Sequence, residues 1–430
     1  MVFMDLKSIY HDLKEGKIKP YKLEEVILEM VFGNDTNRWL EANREAVNLR
    51  VRFIEEKTGK KIDGVKNAFV SVADAEKMTV GIEQQIGGVI VPLGFGGPLK
   101  VLGEHAKGEF YLPVATNEAA LVAGLTRGCR AINEAGGIKV VITRDHMTRA
   151  PLIETPDIEK AKKLVDEIKS KKELYSKMRE AAEKDSKVSK LLDILPFQSG
   201  RHIHLRFYFQ TGDSMGMNSV TKYSANAIRV LKETYSWVKL VSLTANMCTD
   251  KKASHINVLL GRGKSVETEV LIPAKIIRDV YGVEPADVVK LNYLKNYRGS
   301  GLAGTMGGFN ANVANTIAAM FIATGQDAAQ VVESASCFTN IELIGEDLLF
   351  SASFPCLEVA TVGGGTAFAT AKECLDILGC AGPGNPAGSN SRKLAELIAA
   401  AASAQDLNLI AAEAHGYELA ESHIKLARGK

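Results

Sequence analysis

The chain has 430 residues, 24% of them charged, and a net charge of +2. That length suits two or three domains with an ample core, and the near-neutral balance gives no reason to expect a nucleic-acid partner. The run Met1-Val2-Phe3-Met4-Asp5-Leu6-Lys7 lacks the apolar core of a signal peptide, no uninterrupted apolar run approaches the roughly 18 residues of a membrane helix, and the six cysteines form no CxxC pair, so a cytoplasmic protein with reduced thiols is expected.

Residues 1 to about 85 read as helical and charged, with helical periodicity in Leu23-Glu24-Glu25-Val26-Ile27-Leu28-Glu29-Met30. From 87 to 137 the texture changes to Gly-rich loops, short strands and one helix. Pro151 and Pro156 mark a boundary, and residues 157–190 place Leu164, Ile168, Leu174 and Met178 as on one or two solvated helices. His202, His204, Arg206 and Tyr208 then alternate with Ile203, Leu205, Phe207 and Phe209, the period of a half-buried strand. Thr211-Gly212-Asp213 turns the chain, 215–235 has helical spacing, and 237–243 reads as a strand. Such a βαβ unit pairs its strands in parallel by default, and residues 151–242 read as a small α/β domain inserted into a larger one.

Further on, Asp250 or Thr249 can cap a short helix bearing Ala253, Ile256, Leu259 and Leu260 and closed by Gly261. Residues 265–272 alternate as a strand. The stretch 310–336 is the longest helix candidate of the second half. Val313, Ile317 and Phe321 mark one face, while Ala319, Met320 and Ala323 make the other apolar, so the helix should be buried nearly all round and Asp327 with it.

Four ionisable residues make a set suited to carbonyl reduction: Glu118, Lys251, Asp327 and His423. Each has an ordinary reading as well. Glu118 can serve the start of a helix through Ala119, Ala120, Leu121 and Val122, and Asp250-Lys251-Lys252 is by itself a solvated charge cluster. Two features weigh against the ordinary readings: a lysine at a helix N-terminus opposes the macrodipole, and a buried Asp327 needs a cation such as Lys251. His423 shares a face with Leu419 and Ala427, as a satisfied core histidine would.

Gly299-Ser300-Gly301-Leu302-Ala303-Gly304 fits GxGxxG, but the polar run before it is no strand, so a dinucleotide fold there is a weak rival. Gly212-Asp213-Ser214-Met215-Gly216-Met217-Asn218 is more promising, since it joins a strand to a helix N-terminus that can hold a pyrophosphate. His202-x-His204 finds no third ligand at metal-site spacing, and no HExxH, GxSxG or P-loop occurs, so no metal is expected.

Together these segments resemble the 3-hydroxy-3-methylglutaryl-CoA reductase family, specifically the soluble archaeal type of its first class. The runs that carry the resemblance span about 80–430. They include Ala115-Thr116-Asn117-Glu118, Met147-Thr148-Arg149-Ala150-Pro151, the 212–218 segment, and Cys248-Thr249-Asp250-Lys251-Lys252. Later in the chain come Gly261-Arg262-Gly263-Lys264, Ala323-Thr324-Gly325-Gln326-Asp327 and Thr361-Val362-Gly363-Gly364-Gly365-Thr366. The resemblance implies an α/β (α+β) fold: an N-terminal helical region (1–86), a large domain around a long central helix (87–150 and 243–430), and an inserted small ferredoxin-like cofactor domain (151–242). It implies a homodimer with shared active sites, NADPH as cofactor, and HMG-CoA as substrate, reduced to mevalonate.

The same resemblance assigns roles. Glu118 is the general acid toward the aldehyde, kept neutral by burial beside Asp327. Lys251 stabilises the oxyanion, Asp327 couples the two, and His423 protonates the departing thiolate. Arg149, Thr244, Asp250, Lys252, Lys295 and Asn315 fall on glutaryl contacts. Asp213, Met215, Gly216, Met217 and Asn218 fall on the NADPH segment, with Lys187 at the 2′-phosphate and Arg428 near the cofactor or CoA end. Some positions depart from the family pattern: Glu83-Gln84-Gln85-Ile86-Gly87 replaces its dimer-associated run, Ser186-Lys187-Val188 its Ser-Arg-Phe, and His146 and Met247 a usual glycine and tyrosine. A paralogue that binds CoA esters without reducing them, or a reductase preferring NADH, is the alternative.

Overall fold

The computed structural model describes residues 5–68, 82–416 and 424. Helices α1 (Leu6–Lys14), α2 (Leu23–Met30) and α3 (Trp39–Thr58) bury Ile9, Leu13, Leu23, Ile27, Ala42 and Ala46 in a core of their own, and a short α4 (Asp63–Asn67) follows. Arg50 pairs with Glu24 inside this bundle and donates to the carbonyls of Pro20 and Gln85. It thereby fastens the segment leading into the rest of the chain.

A hairpin of β1 (Leu93–Leu102) and β2 (Lys107–Ala115) leads through α5 (Leu121–Glu134) to β3 (Ile138–Arg149). Strand β3 is long enough to serve two regions. Its residues Lys139 to His146 pair with the large sheet, while Met147, Thr148 and Arg149 pair with a strand of the small one. The small region runs β4 (Leu152–Glu154), α6 (Ile158–Lys169), α7 (Glu173–Glu183), β5 (Lys190–Ser199), β6 (His202–Gln210), α8 (Met217–Thr234) and β7 (Lys239–Ser242). Strands β6 and β7 run parallel, as the βαβ reading requires, but β4 lies between them and is antiparallel to both. With β5 on the other side of β6 the order is β7-β4-β6-β5, a split βαβ arrangement.

The expected half-burial of β6 holds only for its first half. Arg206 and Tyr208 are buried on the supposedly wet face, because the chain from 246 to 261 folds over it. Arg206 donates to the carbonyls of Met247 and Gly261 and to Asn257 Oδ1.

The rest of the chain forms α9 (His255–Leu260), β8 (Gly263–Ile272), α10 (Ala274–Tyr281), α11 (Pro285–Asn292), a π-helical stretch Tyr293–Gly299 and α12 (Ser300–Ala303). Then come β9 (Gly308–Phe309), α13 (Val313–Ala323), α14 (Val331–Ser334), β10 (Cys337–Ile344), β11 (Asp347–Leu357), α15 (Ala369–Ile377) and α16 (Ser389–Ala414). The long helix expected over 310–336 is thus broken. Helix α13 stops at Thr324, Gly325 takes a left-handed φ of 66°, and Asp327 caps the next turn through Ala329 N–H.

The longest helix is α16, whose run of alanines sits against β3, β8, β11, α5 and α13. By length and composition it could cross a membrane, but nearly all of it is buried inside the fold. Small residues let neighbours come close: a Cβ on Gly128 of α5 would lie 1.9 Å from the carbonyl oxygen of Ala404. Its buried acids are met. Glu396 accepts from the N–H groups of His105 and Ala106, and Asp406 from those of Ala311 and Asn312 and from the Thr339 hydroxyl.

Candidate active site

Lys251 does not open a helix. Ser254 caps α9, and Thr249 and Lys251 occupy a turn with left-handed φ values of 57° and 59°. The turn points the Lys251 ammonium at Asp327, 2.9 Å from Oδ2. Asp327 is not buried in a helix either; its side chain is 36% exposed and the lysine's 44%. The reason is local: Gly325 and Gly365 meet back to back, where a Cβ on either would strike the other's carbonyl, and this swings Asp327 out of the core. The hydrogen bond from Lys251 to Asp327 raises the lysine above its ordinary value, against a smaller effect of burial, so the ammonium is held charged.

Asp327 also lines a cavity of about 410 Å³ whose other walls are the 214–219 segment and the glycine loop 363–365. Met215, Gly216, Met217 and Asn218 therefore share a cavity with Asp327, the partner of Lys251. Gly216 caps α8 with φ 87° and without a side-chain partner, leaving the first-turn N–H groups open. Lys187 is exposed beside this segment, since its neighbour Val188 covers Gly212.

Asp213 stands apart from its neighbours in sequence. It is buried, and its carboxylate accepts from the N–H groups of Gly384 (3.0 Å), Gly388 (2.7 Å) and Ser391 (3.0 Å) at the start of α16. Ser391 Oγ also donates to Gly212 O, and Thr361 N to Asp213 O. Its side chain thus bolts the segment to the start of the central helix, and Asp213 is not among the residues that line the cavity.

Beneath the Lys251 turn lies a network that periodicity and spacing do not foretell. Arg262, fully buried, pairs with Glu333, Glu358 and Asp250 and donates to Gln330 Oε1 and Thr148 Oγ1. Burial alone would lower Arg262, but Glu358, Glu333 and Asp250 outweigh it and hold the guanidinium charged. Burial likewise pushes Asp250 up, yet Gln330, Arg262, Arg149 and Lys251 bring it below the ordinary carboxylate range. Asp250 thus points inward to Arg262 (3.0 Å) and Gln330 (3.0 Å). Arg149 is buried against Cys248 Sγ and Met217 O, with its Nε meeting no acceptor among the described residues. Lys252 reaches back to Asp250 O, and Thr244 is exposed. The one sequence signal for this network was a glutamate inside the apolar run Val331-Val332-Glu333.

Glu118 belongs elsewhere. It precedes α5 instead of opening it, with Ala120 left-handed between them. It is exposed, and Asn315 Nδ2 donates to its Oε2 at 2.7 Å. The expected burial beside Asp327 is absent in the single chain. Asn315 lies in the first turn of α13 and Asp327 just beyond its other end, with about 12 Å of helix between them. Glu118 lines a separate cavity of about 900 Å³ with Leu93, Val122 and Arg130, and no hydrogen bond or ion pair joins the two groups among the described residues. Lys295, in the π-helical stretch, pairs with Glu413 near the end of α16. His423 and Arg428 lie outside the described residues.

Residues 46–428 match the family model described as hydroxymethylglutaryl-coenzyme A reductase. The chain is 43% identical over 416 residues to the 3-hydroxy-3-methylglutaryl-coenzyme A reductase of Aeropyrum pernix, covering 96% of this chain and 97% of that one. It is 42% identical over 424 residues to the enzyme of that name from Methanothermobacter thermautotrophicus, covering 98% and 100%. Among solved structures, the NADPH-bound class II 3-hydroxy-3-methylglutaryl-CoA reductase from Streptococcus pneumoniae shares the fold, with TM-score 0.62, 18% identity, and 84% and 96% of the two chains covered. The chain belongs to the hydroxymethylglutaryl-coenzyme A reductase family of oxidoreductases, on its archaeal branch.

Proposed function

We propose that this chain reduces the thioester carbonyl of (S)-3-hydroxy-3-methylglutaryl-CoA in two hydride steps, giving (R)-mevalonate and free CoA for isoprenoid synthesis. NADPH is the reductant, and the active sites lie between the subunits of a homodimer. The observation that carries this reading is that Asp327, which holds the Lys251 ammonium, lines one cavity with the 214–219 segment.

The residues around that cavity fit the cofactor. The open N-terminus of α8 suits a pyrophosphate, and Gly363 and Gly364 leave free space opposite it. Bound there, NADPH would supply the hydride. Lys187 would reach for the 2′-phosphate and Arg428 for the far end. The Lys251 ammonium donates to the carbonyl oxygen as it gains charge, and a preoriented donor of this kind is worth about 10²–10³-fold in rate. Asp327 holds the ammonium in place. Arg149, Thr244, Asp250, Lys252, Lys295 and Asn315 bind the glutaryl part, and His423 gives the thiolate its proton.

Glu118 supplies the proton to the aldehyde oxygen from the partner subunit. A second copy would cover its exposed carboxyl and bring its half of the site to Lys251. Absorbance of NADPH and of NADH with HMG-CoA tests the reading. No oxidation of either cofactor by the folded protein overturns it, oxidation that survives Lys251→Ala overturns the role of Lys251, and a preference for NADH overturns that of Lys187.

A further inference from the structure

The network under the Lys251 turn gathers three carboxyl groups around one guanidinium. Asp250, Glu333 and Glu358 offer oxygens within 4.8 Å of one another, a set that could hold a metal ion if the Arg262 guanidinium did not already sit among them. Arg262 is the one guanidinium that pairs with all three, while Arg149 and Lys251 bear on Asp250 from outside the cluster. Asp250 is partly exposed and has Gln330 Nε2 as a further donor. Glu333 and Glu358 are fully buried.

The two buried acids are served unequally. Glu333 Oε1 accepts from Lys251 N–H at 2.9 Å and from Arg262, and its Oε2 accepts from Asn257 Nδ2 at 2.9 Å. Glu358 meets Arg262 through Oε1 alone, and its Oε2 finds no donor. A buried carboxylate oxygen without a donor is costly. A buried acid that carries hydrogen on that oxygen avoids the cost, and one carboxyl oxygen of Glu333 lies within 4.8 Å of one of Glu358 beside the shared guanidinium.

We propose that Glu358 is a neutral carboxylic acid that donates its hydrogen to Glu333, and so keeps Glu333 as the anion on which the Lys251 turn hangs. The electrostatics agree. Burial pushes both acids up, Glu358 furthest, while Arg262 opposes the shift on each. When two carboxyls share one site, one keeps its proton. Besides Arg262 and Asp250, the groups facing the pair are the Cys356 thiol and, across the turn, Lys251, with the Arg149 and Arg206 guanidiniums beyond Asp250 and Asn257. A left-handed backbone is strained for a lysine, and the bond from its N–H to Glu333 fixes it there. Glu358 is thus a positioning residue that acts on Lys251 through Glu333. Its effect on turnover rests on the role of Lys251 proposed above, whereas its protonation does not.

Infrared difference spectroscopy of the full chain at neutral pH should show a protonated-carboxyl band that disappears in Glu358→Gln and persists in Glu333→Gln. Stability gives a second readout. Glu358 is neutral when folded and ionised when unfolded above pH 4.5, its ordinary value. Wild type therefore loses stability relative to Glu358→Gln as pH rises from there. In turnover, Glu358→Ala should lower kcat about tenfold or more by misplacing Lys251, and Glu358→Gln, the shape of the neutral acid, should recover most of that loss. No band lost in Glu358→Gln, or a stability difference that does not change with pH, overturns the assignment. A band lost from a protein that cannot reduce HMG-CoA supports the buried proton and sinks the proposed reaction instead.

Discussion

The two ends of α16 solve opposite problems. At its start the helix meets charge: Asp213 caps it through three N–H groups, and Arg392 on its first turns donates to Asp145, which also holds Lys264. Every charged group there finds a partner within one chain, and the Lys251–Asp327 pair with its cavity is assembled nearby. In its later half the helix meets close packing. Gly124 and Gly128 of α5 lie against Gln405, Asn408 and Ala404, while the polar residues carried by this scaffold, Glu118 and Asn315, face outward. At one end the charged groups meet one another, while at the other close packing leaves Glu118 at the surface. Helix α13 separates the two groups, with Asn315 in its first turn and Asp327 just beyond its end, and no hydrogen bond or ion pair joins them among the described residues.

The largest effect should come from joining the halves. Lys251→Ala and Glu118→Gln should each be nearly inactive, losing about 10²–10³-fold in kcat. Mixed after dissociation and reassociation, they should regain about a quarter of wild-type activity, since half the dimers are mixed and each has one intact site. No recovery in mixed dimers shown to have formed would place both residues in one subunit's site.

Removing the Asp213 cap comes next. Asp213→Ala strands three N–H groups at the start of α16, and bonds to a charged acceptor are worth about 1.5–3 kcal/mol each before compensation by water. We expect a lower Tm together with a raised KM for NADPH, read by calorimetry and initial rates; a raised KM with an unchanged Tm would restore Asp213 as a direct cofactor contact. At the other end, Gly128→Ala forces a methyl into the Ala404 carbonyl, and overpacking of this kind costs about 1–3 kcal/mol in urea unfolding.

Acid separates the ends further. Burial pushes Asp145 up, but Lys264 and Arg392 outweigh it and hold its carboxyl below the ordinary 3.8. Its contribution is therefore present above pH 3.8 and lost as pH falls through the lower folded value. Asp145→Asn should flatten that part of the acid limb of a stability–pH curve. The smallest change is Gly301→Ala in α12, where an added Cβ meets nothing within 4 Å. It should stabilise the free chain by about 0.5–1 kcal/mol, and a drop in activity alongside that gain would show that a partner packs there.

Much of this molecule is written in short stretches of its sequence. The paired helices within 157–190, the alternating strand at 202–210, the turn and helix after Gly212 and the strand before Ile272 all follow from periodicity and turn residues, because each depends on neighbours a few positions away. The motif runs likewise identified the family and its candidate residues. Tertiary structure alone decided which charges meet. Asp327 lies outside the buried helix because Gly325 and Gly365 touch, the Asp213 carboxylate meets the N–H groups of Gly384, Gly388 and Ser391, and β4 lies between β6 and β7. Local sequence fixes torsions and faces, whereas the partner of a buried charge is set by long-range packing, and there the cost of leaving a charge unmet selects one arrangement.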